Sequence, residues 1–215
     1  MSVIHRTTMA PTKLELLTAW LPTRPWYRGG ADAVPQLERA GGFRLDDPEG
    51  EVGIEFMVVT DSSGDEVHAY LVPMTYRGAP LEGAERGLIG TSEHGVLGTR
   101  WLYDGAHDPV LAGELAALLE GRAVPQAQSL SDTPDPTVEA SFDGTGAWDT
   151  SAAPVVEEGT YGTDVRLGAG APVLRLARVL DPKATGSRGH VIAGWRLPDG
   201  EERRGAYVLV FDPAV

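Results

Sequence analysis

Two apolar runs joined by a short polar turn commit this chain to a fold with an antiparallel sheet. Val52-Gly53-Ile54-Glu55-Phe56-Met57-Val58-Val59-Thr60 reads as a strand, Asp61-Ser62-Ser63-Gly64 as a turn, and Val67-His68-Ala69-Tyr70-Leu71-Val72 as the returning strand. β-Branched and aromatic side chains suit a pleated, buried surface, and Asp, Ser and Gly suit the reversal. Pro73 has no N–H for a ladder, so that end of the hairpin is expected at an edge or a bulge.

Helical signals flank the hairpin. Thr12 and Glu15 have capping-box spacing, Leu14, Leu17 and Leu21 make a stripe with Leu16 and Trp20 beside it, and Pro22 and Pro25 stop the helix. A loop or short element through Pro35-Gln36-Leu37-Glu38 leads to Gly41-Gly42. Leu88-Ile89-Gly90 and Val96 to Asp104 read as further strand. Asp108-Pro109 opens a second helix as N-cap and N1, with Leu111, Leu115, Leu118 and Leu119 on one face and Gly121 at its end. The final third is β-rich. Strands at 164–167 and 173–180 flank Gly168-Ala169-Gly170, and His190 to Leu197 and Ala206 to Phe211 flank Pro198-Asp199-Gly200. The expected organisation is an α+β domain over 1–122, a linker over 123–136 without periodicity, and a β-rich region over 137–215 packed on the first.

Composition narrows the function classes. The chain has 215 residues, 42% of them hydrophobic, which is enough for a real core. A net charge of −13 argues against nucleic acid as a partner, because phosphate contacts need clustered Lys and Arg. The chain has no cysteine, which excludes disulfides, thiolate catalysis and Cys-ligated zinc. No apolar run has the length of a membrane span, and the N-terminus lacks a signal-peptide core, so a cytoplasmic protein without a membrane partner is expected. From Ala123 through Val165 there is no Lys, Arg or His, while basic residues prevail after Arg166. The expectation is that the acidic stretch lies near the basic strands.

The helix followed by Arg24-Pro25-Trp26-Tyr27, the Asp61 to Gly64 hairpin with Tyr70-Leu71-Val72-Pro73, then Leu88-Ile89-Gly90, Leu102-Tyr103-Asp104-Gly105 and Asp108-Pro109 occur in an order that resembles the N-terminal cap domain of maltokinases. The resemblance covers roughly Lys13 to Arg122. It implies a cystatin-like layout, a helix packed on a curved antiparallel sheet. Short actinobacterial proteins of this length that carry such a cap are often labelled 1,4-α-glucan branching proteins. Branching enzymes are built on a (β/α)₈ barrel of about 250 residues, longer than this chain. The stretch from Tyr161 to Leu180 resembles a degraded version of the strand pair that follows the cap in maltokinases, a kinase N-lobe relic. Arg175 then stands where a lysine reaches the ATP phosphates. Arg is no neutral replacement for that point charge. Neither a catalytic loop nor an aspartate-led metal motif follows, so phosphoryl transfer is not expected.

Candidate contact residues are Arg24, Trp26, Tyr27, Arg28, Trp101, Tyr103 and Arg175. Trp20, Trp26, Tyr27, Trp101 and Tyr103 form either a sugar-stacking platform or, the favoured reading, packing between helix and sheet. Arg24 and Arg28 either bind an anion or partner carboxylate or make local ion pairs. His5, His68, His94, His107 and His190 have no metal-motif spacing, and Glu93-His94 and His107-Asp108 are acid–base pairs only if the fold joins them. No catalytic residue, metal or cofactor is assigned. The implied function is a non-catalytic accessory or regulatory protein of α-glucan, maltose, glycogen or trehalose metabolism. It would contact a pathway enzyme or a second copy of itself as a homodimer. The alternatives are a module binding a sugar or nucleotide, and an enzyme of α-glucan metabolism with an unrecognised site.

Overall fold

A computed structural model describes residues 9–30, 33–130, 132–144, 148–160, 162–184 and 188–213. The first half holds β1 (Met9–Ala10), α1 (Lys13–Trp20), β2 (Leu37–Asp46), β3 (Gly53–Asp61), β4 (His68–Arg77), β5 (Leu88–His94), β6 (Gly98–Asp104) and α2 (Pro109–Leu119). The second holds β7 (Gln126–Ala127), β8 (Glu139–Phe142), β9 (Val155–Gly159), β10 (Gly162–Arg166), β11 (Val173–Leu176), β12 (Gly189–Arg196) and β13 (Glu202–Phe211). The chain is therefore mostly antiparallel sheet with two short helices. No helix among the described residues is long and apolar enough to cross a membrane.

Both helices start as their sequences dictate. Glu15 N–H donates to Thr12 Oγ1 at 3.3 Å and Thr12 N–H to Glu15 Oε2 at 2.7 Å, a complete capping box. Asp108 accepts from Val110 N–H at 3.0 Å with Pro109 behind it. At the far end Gly121, at φ +71°, turns the chain so that Arg122 N–H reaches Ala117 O at 2.8 Å.

The strands form one sheet in the order β1-β5-β6-β4-β3-β2-β12-β13-β11-β10-β9, with β7 on β2 and β8 on β12. Two narrow seams close its middle into a ring. At the first, Gly41 of β2 pairs with Trp195 of β12. At the second, the chain leaving β11 crosses to the free edge of β4: Tyr70 pairs with Val179, Leu71 N–H donates to Arg178 O at 3.0 Å, and Leu180 N–H to Ala69 O at 2.8 Å. Pro73 stands where β4 changes neighbour, between this bridge and the pairing with β6 that starts at Met74. A residue without an N–H fits that gap, and β4 runs on through it to Arg77.

The hairpin strands are buried on both faces. Ile54, Phe56 and Val58 of β3 and Ala69 and Leu71 of β4 face the ring interior, with Phe43, Leu111, Leu115, Leu176, Val191, Trp195 and Tyr207. Met57, Val59, Tyr70, Val72 and Met74 face outward under α1, with Leu17, Trp20, Leu21 and Trp26. Burial on both sides explains why β3 reads as a continuous apolar run rather than an alternation.

Three expectations are refined. Leu37 to Gly42 belongs to the ten-residue strand β2, with Pro35 and Gln36 leading into it, and the Gly41-Gly42 pair conceals its strand character. The strand expected from Val96 starts at Gly98. The segment 123–136 contains β7, whose Gln126 and Ala127 pair with Arg44 and Phe43.

Gly42 is fixed at φ +126°, and a Cβ there would lie 2.0 Å from Phe56 O. Gly42→Ala is expected to cost about 1–3 kcal/mol or more in urea unfolding, from backbone strain plus the clash. Gly50→Ala, with φ +73° but open space, should cost less. Equal midpoints for the two variants would refute the close approach at Gly42.

Candidate functional site

After α1 a 3-10 turn over Leu21–Thr23 brings the chain back across the outer face of β4. Arg24 N–H donates to Leu21 O at 2.9 Å and Tyr27 N–H to Arg24 O at 3.1 Å, which drives Trp26 inward. Trp26 is 1% exposed. Its ring centroid lies 5.8 Å from Trp20, edge-on, and 6.0 Å from Tyr70. The Arg178 guanidinium sits 5.1 Å over it. Tyr27 is half-buried, with its ring 5.5 Å from Tyr70 and its hydroxyl donating to Asp61 at 2.7 Å. Burial and the neighbouring Asp61 push the Tyr27 hydroxyl up to about 12. Burial works against the charged form of Asp61. The hydrogen bonds from Tyr27, Ser63 and Gln36 outweigh it and hold this carboxyl below its usual range. Arg28 is exposed, and its backbone N–H donates to the Tyr70 hydroxyl at 3.0 Å.

Arg24 spans the joint between the two halves. Its guanidinium lies 4.9 Å over Trp20, its Nε donates to Thr23 Oγ1 at 3.0 Å, and its Nη1 is 3.5 Å from Glu158 of β9. Behind it lies a buried ion pair. Arg178 Nη2 donates to Asp104 Oδ2 at 2.5 Å and Arg178 Nε to Thr163 Oγ1 at 2.7 Å. Their side chains are 0% and 1% exposed. Asp104 also accepts from Ala106 N–H at 3.2 Å, which starts the turn holding His107. Burial lowers the His107 pKa below its ordinary 6.5, aided by Arg178 and Arg24 and opposed by Asp104 and Glu158.

Arg175 and the remaining aromatics sit elsewhere. Arg175 grips Asp164 with Nε at 2.6 Å and Nη2 at 2.8 Å and stacks 4.8 Å over Phe211. It borders a shallow surface cleft of about 240 Å³, together with Glu157, Glu158, Thr160 and Asp164. Leu102 packs with the α1-side core, so alternation along β6 points Trp101 and Tyr103 to the opposite face. The Tyr103 hydroxyl accepts from Leu81 N–H at 2.9 Å. The structure therefore gathers Trp20, Arg24, Trp26 and Tyr27, leaves Arg28 at their edge, and separates Trp101, Tyr103 and Arg175 from them.

The two histidine–carboxylate neighbours are otherwise engaged. Glu93 accepts from Thr99 Oγ1 at 2.7 Å, and His94 Nδ1 accepts from Leu97 N–H at 3.1 Å. Asp108 holds Arg77 through both oxygens at 2.7 Å. No group of three His, Asp or Glu among the described residues is placed to hold a metal ion. His5, Tyr161 and Thr145-Gly146 lie outside the described residues.

Sequence reasoning missed Arg178, Asp104 and Thr163. The available signal was Arg178 itself, one of two charges, with Arg175, in a stretch otherwise made of Val, Leu and Ala.

Residues 20–108 match the family model of the maltokinase N-terminal cap domain. A cap-like domain is thus present from Trp20 through the Asp108 cap of α2, and it includes the Arg24–Trp26–Tyr27 cluster and Asp104. Arg178 and Thr163 lie outside the matched stretch. No curated protein sequence matches the chain.

Removing one member of a buried ion pair strands the other. Arg178→Met is expected to cost about 3–5 kcal/mol in urea unfolding, and Arg178→Met with Asp104→Asn less than the sum of the two single losses. Strict additivity in that cycle would contradict a direct pair. Stability should also fall on acidification. His107, with its folded pKa below 6.5, binds a proton more readily unfolded, so its contribution is lost from about pH 6.5 downward. Asp61, also depressed, loses its contribution at lower pH, as pH falls through its folded pKa. Urea midpoints across pH should show the upper part of this decline vanish in His107→Gln.

Proposed function

We propose that this chain is a non-catalytic accessory or regulatory protein of maltose, trehalose or α-glucan metabolism that acts by contact with an enzyme of those pathways. The observation that carries the reading is the cap-domain match over residues 20–108. The engagement of the polar groups near the joint supports it. Arg178, Asp104, Thr163, Arg175 and Asp164 hold one another, and Asp108 holds Arg77. We read β10 and β11 as a relic of a kinase N-lobe strand pair. Arg175 in the lysine's place directs its guanidinium fork to Asp164, away from any phosphate role.

The cleft beside Arg175 favours a second reading, a small-ligand module. Its rim has Glu157, Glu158 and Asp164 against one arginine, which disfavours a nucleotide polyphosphate and favours a neutral sugar.

Affinity capture of the full chain from native lysate is expected to recover an α-glucan or trehalose enzyme, with size-exclusion chromatography resolving the complex. Repeated capture without any such enzyme would sink the first reading. Calorimetry with maltose, maltooligosaccharides, trehalose and ATP decides the second: heat with a sugar supports it, and silence from all four removes it.

A further inference from the structure

Beneath the first turn of α1, on the outer face of β2 and β3, cations outnumber anions. Glu55 is the centre of this cluster and is 4% exposed. Its Oε2 accepts from Lys13 Nζ and from the Tyr76 hydroxyl, both at 2.5 Å. Its Oε1 accepts from Gln128 Nε2 at 2.8 Å, with Arg39 Nη2 at 3.7 Å. Arg44 stands directly across the ladder from Glu55, and Gln126 directly across from Arg44, so the three share one row and one face. Arg44 is 9% exposed. Its Nε and Nη2 nevertheless have no hydrogen-bond partner among the described residues, and neither has Gln126 Oε1. Gln126 Nε2 donates to Val124 O at 3.3 Å, which sets the amide's orientation. Asp46 follows on the same face of β2, with interactions of its own.

Nε and Nη2 form the edge of a guanidinium that holds two oxygens at once. Arg77 uses that edge on Asp108 and Arg175 uses it on Asp164. In Arg44 the same edge is buried and meets no oxygen pair. Lys13 and Arg39 already answer the charge of Glu55, so the Arg44 charge needs its own counterpart. Its unpaired neighbour Gln126 Oε1 needs a donor.

We propose that the Arg44 fork binds a small tetrahedral oxyanion, either inorganic phosphate or a phosphate monoester. Two phosphate oxygens accept from Nε and Nη2, and a P–OH donates to Gln126 Oε1. A carboxylate or sulfate at neutral pH supplies the oxygens but not the donor. Lys13 and Arg39 together carry one positive charge more than Glu55 neutralises, which adds to the positive potential at Arg44. The site is separate from the partner-contact reading and stands or falls without it.

Thermal unfolding of the full chain at fixed ionic strength tests this, with chloride replaced by phosphate, methyl phosphate, sulfate or acetate. Sulfate controls for the general stabilisation of the compact state by excluded, salting-out anions, which phosphate shares. Phosphate or methyl phosphate should raise Tm by a few degrees beyond sulfate and acetate, the larger response identifying the free ion or the monoester. Arg44→Lys keeps the charge without the fork and should lose that excess, as should Arg44→Met. An excess retained in either folded variant, or none in the wild-type chain, overturns the proposal. Should neither variant fold, the arginine Nε–Hε resonances of the wild-type chain decide. A phosphate titration that moves one of them, with sulfate leaving it in place, supports the site. A titration that moves none overturns it.

Discussion

Arg178 lies where the chain leaves β11 and crosses to β4, and both bonds of that crossing bracket it. Leu71 N–H takes its carbonyl at 3.0 Å, and two residues on, Leu180 N–H takes Ala69 O at 2.8 Å. The side chain of the same residue reaches Asp104 at the end of β6, Thr163 on β10 and the face of Trp26. One guanidinium therefore anchors a backbone seam and a side-chain seam together. A slip of one residue would put Ala177 or Val179 against Asp104 and leave a carboxylate buried without its cation. The penalty for an uncompensated buried charge is far larger than any packing gain there. The pair thus penalises a one-residue slip of the crossing.

Local order was legible in sequence wherever it rests on short-range chemistry. The Thr12–Glu15 box, the Asp108–Pro109 start, the Asp61 to Gly64 turn and the hairpin around Pro198-Asp199-Gly200 each involve residues a few positions apart. What escaped depends on distant partners. β2 hides behind Gly41-Gly42 because those residues are selected by the close passage of Phe56 O and Trp195, not by strand propensity. β8 and β9 are short, mixed in polarity and largely exposed, and pairing with β12 and β10 makes them strands. At the candidate site, Trp26 and Tyr27 could be singled out by type. That Trp26 would be sealed under Arg178, and Trp101 turned to the other face, follows only from the three-dimensional path.

Charge is distributed by the same logic. The acidic stretch after Ala123 meets the basic strands after Arg166, as in Arg166–Glu157 at 3.0 Å, Arg175–Asp164 at 2.6 Å and Arg204–Glu139 at 2.9 Å. These pairs are largely exposed and individually worth little, about 0–1 kcal/mol. The first two join strands that pair side by side, and Arg204–Glu139 joins β13 to β8 across β12. Arg77 and Arg175 each turn the guanidinium fork to a single carboxylate, Asp108 and Asp164. That habit makes the unpaired fork of Arg44 stand out among its described neighbours.

The two seams that close the ring each join residues more than a hundred positions apart, Gly41 to Trp195 and Tyr70 to Val179. During synthesis, β2, β3 and β4 emerge and pair long before β11, β12 and β13 exist. α1 covers only their outer face. Their inner face, with Phe43, Ile54 and Phe56, is met by Leu111 and Leu115 of α2, and its cover is completed only by β11, β12 and β13. At bacterial-like elongation rates the interval is roughly 5–20 seconds. Throughout it the sheet face beside α2 is only partly covered, and the edge of β2 that meets Trp195 is unpaired.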